Sequence, residues 1–127
     1  MSRNATTPIL LAQYPLTVRR LAEETGTLLH KLLPGIEETP DFPAKLIAYG
    51  YGEGYSDTIC TLILSQKEIK VGFYKGSFLP DPHGLLTGSG KVHRYVTIAH
   101  KKPLNMAFTD LVRAAYGAYR MRTESSL

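Results

Sequence analysis

Residues 58–73 hold two strand-like apolar runs separated by only three polar residues, and this spacing constrains the chain more than any other feature. The first run, Thr58-Ile59-Cys60-Thr61-Leu62-Ile63-Leu64-Ser65, is apolar and β-branched along most of its length, as a central strand is. Gln66-Lys67-Glu68 leaves no room for a crossover, so the chain must return antiparallel. In the returning run Ile69, Val71 and Phe73 alternate with Lys70, Gly72 and Tyr74, which predicts one buried face.

Two further strand patterns flank this hairpin. Lys45-Leu46-Ile47-Ala48-Tyr49-Gly50-Tyr51 precedes it, and Gly52-Glu53-Gly54 with Ser56-Asp57 separates the two. Residues 92–98 alternate again, with Val92, Val96 and Ile98 on one face. Helical periodicity lies at the two ends of the chain. Val18, Leu21, Ala22, Thr25, Leu28, Leu29 and Leu32 recur at steps of three and four, predicting a helix over residues 16–33 that Pro34-Gly35 stops. Arg19, Arg20, Glu23, Glu24, His30 and Lys31 fall mostly off that stripe and are expected in solvent. A last helix over 105–121 buries Phe108, Leu111, Val112, Ala115 and Tyr119, with Asn105 as its cap. Residues 34–43, with three prolines and the acids Glu37, Glu38 and Asp41, read as a loop with at most one helical turn. The order is α-β-β-β-(short α)-β-α. It predicts an α+β fold, an antiparallel sheet of four to five strands covered by helices on one face.

At 127 residues and 43% hydrophobic content the chain suits one domain, residues 1–127, since domains commonly run about 100–150 residues. Residues 1–13 are expected to be a loosely held arm and 123–127 a frayed tail. Cys60 is the single cysteine, which excludes an internal disulfide and fits a reducing, cytoplasmic setting. No run approaches the roughly 20 apolar residues of a membrane span. The formal charge of +4 leans toward anionic partners, yet the basic residues are spread out. Nucleic acid is not the expected partner. The tyrosines at 49, 51, 55, 74 and 95 are explained by sheet packing.

The segment 75–94 is the candidate site. Connections this long in a compact domain are disproportionately functional. Asp81-Pro82 reads as a cap and first helical position, and Gly88 and Gly90 supply tight backbone geometry. Lys75 shares the parity of Ile69, Val71 and Phe73, and Arg94 that of Val92, Val96 and Ile98. Both cations are therefore expected on the core side, where a charge needs a partner or a cleft. With Lys91 and the amides of Gly88-Ser89-Gly90 they can hold a carboxylate or phosphate. Alternatively, Asp81 pairs with Arg94 or Lys91 and locks the loop, or shares them with a ligand.

Gly88-Ser89-Gly90-Lys91 is not a nucleotide P-loop. Leu85 stands where that pattern needs glycine and Val92 where it needs serine or threonine. No catalytic set emerges, and no cofactor is implied. His30, His83, His93 and His100 show no metal-ligand spacing with one another or with Cys60.

Lys75-Gly76-Ser77-Phe78-Leu79-Pro80-Asp81-Pro82, Gly84-Leu85-Leu86-Thr87-Gly88-Ser89-Gly90-Lys91 and Arg94-Tyr95-Val96 together resemble the YdhG-like family of bacterial domains. The resemblance covers about residues 72–98 most specifically. It implies a secretion-chaperone-like fold and no settled activity, with an iron-chaperone, frataxin-like role attached to some members. The leading expectation is a non-catalytic domain that binds a small anion or a protein partner through Lys75, Asp81, Gly88, Gly90, Lys91 and Arg94. One alternative is an iron chaperone using Glu37, Glu38 and Asp41. The other is a structural module whose homodimer buries an open sheet face.

Overall fold

The computed structural model describes residues 4–124. Five strands form one sheet in chain order: β1 (Glu37–Asp41), β2 (Leu46–Gly50), β3 (Thr58–Leu64), β4 (Ile69–Phe73) and β5 (Arg94–Ile98). Every neighbouring pair is antiparallel. The helices are α1 (Thr7–Leu11), α2 (Leu16–Leu32) and α3 (Met106–Glu124). The α+β class and the antiparallel sheet are those expected from the sequence.

Register explains which side chains are buried. One row crosses the whole sheet as Glu38, Tyr49, Cys60, Phe73 and Arg94, and the next as Pro40, Ile47, Leu62, Val71 and Val96. These rows face the helices. Ile47, Tyr49, Cys60, Leu62, Val71, Phe73 and Val96 are all buried. The predicted stripes of α2 and α3 pack on them, with Phe108 edge-on to Phe73 at 6.4 Å. Asn105 caps α3 as expected, its side-chain oxygen accepting the Phe108 N–H at 3.2 Å. The alternate rows, including Thr61-Gly72-Tyr95 and Ile63-Lys70-Thr97, lie on the uncovered face. Ile63 there is 39% exposed.

Four sequence expectations need correction. Residues 37–41 form the edge strand β1, although Pro40 lies within it. An edge strand tolerates a proline because one side of its ladder is unpaired. Residues 7–11 are not an arm. They form α1, whose Leu10 and Leu11 are buried in the core. His30 is buried, not solvated, because the last turn of α2 lies against β1. α3 continues through Glu124, so Thr123 and Glu124 are helical. Residues 1–3 and 125–127 lie outside the described residues.

Burial of α1 gives a direct test. Leu10→Ala is expected to lower the unfolding free energy by about 2–5 kcal/mol, the usual cost of truncating a fully buried leucine. Urea denaturation measures it. A change within experimental scatter would mean that α1 is an arm after all.

Candidate functional site

The connection from β4 to β5 is held down at several points by its own residues. Lys75 adopts a left-handed backbone (φ 52°) and ends the strand geometry of β4. A 3-10 turn, Gly76–Phe78, follows. A Cβ on Gly76 would sit 2.9 Å from the Arg94 Cβ and 3.1 Å from its backbone nitrogen, so only glycine lets the turn lie against β5. The Ser77 N–H donates to the Val92 carbonyl at 3.0 Å, which places residues 75–78 beside 91–94. Thr87 and Tyr95 exchange two backbone bonds of 2.8 and 3.0 Å, covering part of the free edge of β5. Gly88 (φ 120°) rests over that edge, where a Cβ would lie 3.2 Å from the Tyr95 ring.

Asp81 does not pair with a cation. Its two carboxylate oxygens accept the backbone N–H groups of Leu85 and Leu86, each at 2.9 Å. These bonds close a turn at the position where a short helix was expected. The carboxylate is thereby held toward the loop backbone. The ion pairs among the described residues are His30–Glu38, Lys101–Glu24 and Arg120–Glu124, and none involves Lys75, Lys91 or Arg94.

The three cations are placed differently from one another. Arg94 keeps the predicted parity, standing opposite Phe73 in the core-facing row, and is half-buried. Its guanidinium reaches only the His93 carbonyl, at a long 3.4 Å. Lys75 and Lys91 are exposed. The parity argument fails for Lys75 because the strand has ended at Phe73. It fails for Val92 too, which is 38% exposed because β5 begins only at Arg94. Gly90 is exposed and packs toward the His93 carbonyl.

A groove of about 250 Å³ opens on the uncovered side of the sheet, and Arg94 borders it at the start of β5 while its side chain runs from the core-facing row past Gly88. Its other lining residues are Thr58, Thr61 and Ile63 from β3, Gly72, Phe73 and Tyr74 along β4, His93 and Tyr95 along β5, and Tyr55. No acidic residue lines it. Tyr55 comes from a 3-10 turn, Tyr55–Asp57, that follows a glycine-rich stretch. Its ring lies edge-on to Tyr74 at 4.7 Å, and its hydroxyl is 2.7 Å from His93 Nε2. Tyr74 is braced from α3. The Arg122 guanidinium stacks on it at 4.4 Å and donates to the Ser56 carbonyl at 2.8 Å. Lys70 Nζ lies 4.7 Å from the centre of the Tyr95 ring. The sequence pointed to the cations of this region but not to its tyrosines. The available signal was the outward parity of Gly72, Tyr74 and Tyr95.

A second polar cluster lies at the other end of the sheet. The Glu38 carboxylate accepts the Tyr49 hydroxyl at 2.8 Å, the Thr7 hydroxyl at 2.8 Å and the Asn4 N–H at 3.0 Å. His30 Nε2 lies 3.1 Å away and, facing a carboxylate, carries the proton. Burial alone would raise the Glu38 pKa. The hydrogen bonds from Thr7, Tyr49, Asn4 and His30 outweigh burial and hold it below the usual glutamate range. Glu37 and Asp41 do not join this cluster. Both are exposed, and the strand alternation puts them on the opposite side of β1. Among the described residues no group of three or more His, Cys, Asp or Glu side chains converges as a metal site. Cys60 is buried and its thiol is pushed up to about 12, so it is inert as a nucleophile.

Among the described residues no helix is long and apolar enough to cross a membrane. In comparisons with protein-family models, curated proteins and solved structures, nothing matches this chain.

The depressed Glu38 pKa predicts an acid-dependent stability. The folded value lies below the unfolded one, about 4.3. The stabilisation is therefore fully present above that pH and is lost as pH falls through the folded value. Glu38→Gln is expected to be less stable than the parent at pH 7, by about 1–3 kcal/mol. The gap should narrow in acid. Urea midpoints from neutral to acidic pH measure it, and a pH-independent gap would contradict the assignment.

Proposed function

We propose that this chain is a small-molecule-binding domain and that the 75–94 connection, around Arg94, accepts an anionic ligand. One observation carries the reading. Arg94 is half-buried beside Gly88 with no ion-pair partner among the described residues, and the Asp81 carboxylate expected to neutralise it accepts the Leu85 and Leu86 amides instead. Arg94 makes a single long bond to a carbonyl, and its other guanidinium donors are not among the buried unpaired atoms, so an acceptor from solution can reach them. A carboxylate or phosphate would supply the missing acceptor in bidentate geometry. Lys75 and Lys91, on the two segments joined through Ser77 and Val92, add positive charge that favours the approach of an anion.

The same region carries the YdhG-like resemblance, and we propose membership of that family on those residues alone. The arrangement supports ligand binding over self-association through this face. A two-fold interface would bring Lys70, Lys75, Lys91 and Arg94 of one copy toward the same cations of the other. The iron-chaperone alternative draws no support from Glu37, Glu38 and Asp41, which do not converge.

Inorganic phosphate and acetate at millimolar levels are expected to raise the melting temperature of the parent protein. At about ten times Kd a ligand adds roughly 1.4 kcal/mol of stability. That corresponds to a shift of a few degrees for a domain of this size. Arg94→Ala should keep the fold, read by circular dichroism, and lose the response. An equal response in Arg94→Ala would place the anion elsewhere, and no response in the parent would end the proposal.

A further inference from the structure

The uncovered face of the sheet holds a second feature, separate from Arg94, whose register row faces the helices. Strand alternation puts Lys70 and Gly72 of β4 on the uncovered face together, beside Thr61 and Ile63 of β3 and Tyr95 of β5. All but Lys70 line the groove of about 250 Å³, and Lys70 borders it.

Gly72 leaves a gap in its cross-strand row. A Cβ there would lie 3.2 Å from the Thr61 hydroxyl oxygen and 3.5 Å from the Ile63 Cδ1, so a larger side chain would fill the groove floor. Lys70 leans toward this gap. Its own cross-strand partner is Thr97, yet its ammonium lies 4.7 Å from the centre of the Tyr95 ring, and Tyr95 is the partner of Gly72. The charge therefore stands over the row of Gly72. No ion pair among the described residues involves Lys70. At the other end of the groove Tyr55 and Tyr74 meet edge-on at 4.7 Å, and the Arg122 guanidinium stacks on Tyr74 at 4.4 Å. That wall is formed in advance of any ligand.

We infer that this groove is a site for a monocyclic aromatic anion, its ring over Gly72 and its anionic group at the Lys70 ammonium. The site is distinct from the anion-accepting connection around Arg94. At about 250 Å³ the groove falls below the roughly 300–1,000 Å³ of drug-sized sites, so a single ring suits it. Aromatic rings pack favourably edge-to-face or offset on tyrosine. A rigid ring also loses less rotational freedom on binding than an alkyl chain does. The ammonium offers three donors and no carboxylate of the chain engages it, which favours an anionic substituent over a neutral one.

The test titrates benzoate, benzyl alcohol and cyclohexanecarboxylate into the full chain, read by calorimetry and amide chemical shifts. Benzoate is expected to shift the amides of residues 61, 63, 70, 72 and 95 along one saturating curve. It should bind about fivefold tighter than benzyl alcohol, the ~1 kcal/mol of a good surface ion pair. Lys70→Gln should abolish that preference, and Gly72→Val should weaken both rings. Lys70→Gln, at a half-buried surface position, carries the test alone if Gly72→Val fails to fold. Arg94→Ala should leave the groove shifts in place. Groove amides that stay still under benzoate would overturn the inference, whatever inorganic phosphate does at Arg94. So would cyclohexanecarboxylate matching benzoate, an unchanged benzoate affinity in Lys70→Gln, or loss of the groove shifts in a folded Arg94→Ala.

Discussion

The buried carboxylate of Glu38 joins four parts of the chain. Tyr49 of β2 and His30 of α2 meet one oxygen, and Asn4 and Thr7 meet the other. Burying a carboxylate is costly unless hydrogen bonds replace its water, and these bonds do so. Each donor is in place only if its own element is. The position of α1 over the core, the docking of the last turn of α2 and the pairing of β1 are therefore mutually dependent. This linkage explains how a proline-containing edge strand and a five-residue helix are held in a domain whose other elements are longer or more regular.

The row that begins at Glu38 ends at Arg94. Between them lie Tyr49, Cys60 and Phe73, all buried. The two charged ends are treated differently. The acid is answered by several protein donors, which lower its pKa despite burial. The base is answered by one long bond to a backbone carbonyl. Asp81, eligible in sequence to neutralise it, shapes the loop instead. The loop is thus fixed by amide capping, strand bridging and a close glycine approach, and none of the ion pairs among the described residues involves its cations.

Much of the fold was legible in the sequence because periodicity reports burial directly. The hairpin of β3 and β4 followed from alternation and a short turn, and α2 and α3 from steps of three and four. β1 was hidden because Glu37-Glu38-Thr39-Pro40-Asp41 has neither alternation nor β-propensity. Its pairing is supplied by β2 and by the Glu38 bonds. His30 was misplaced because periodicity tracks apolar residues, whereas its burial depends on a carboxylate eight residues away. At the candidate site, parity located Arg94 correctly. It failed for Lys75, since parity holds only while the chain stays extended and Lys75 turns left-handed. The tyrosine walls were invisible for a related reason. Tyr55 reaches the groove from a separate turn, and Tyr74 is braced by Arg122 from the far end of the chain.

The most direct measurement follows the side-chain Nε–H resonances of the arginines by NMR during titration with inorganic phosphate. Binding at the 75–94 connection predicts that the Arg94 signal moves along a saturating curve. Those of Arg19, Arg20, Arg113 and Arg120 should stay nearly fixed. Uniform, non-saturating drift of all the arginine signals, or a still Arg94 signal, would contradict an anion site at Arg94.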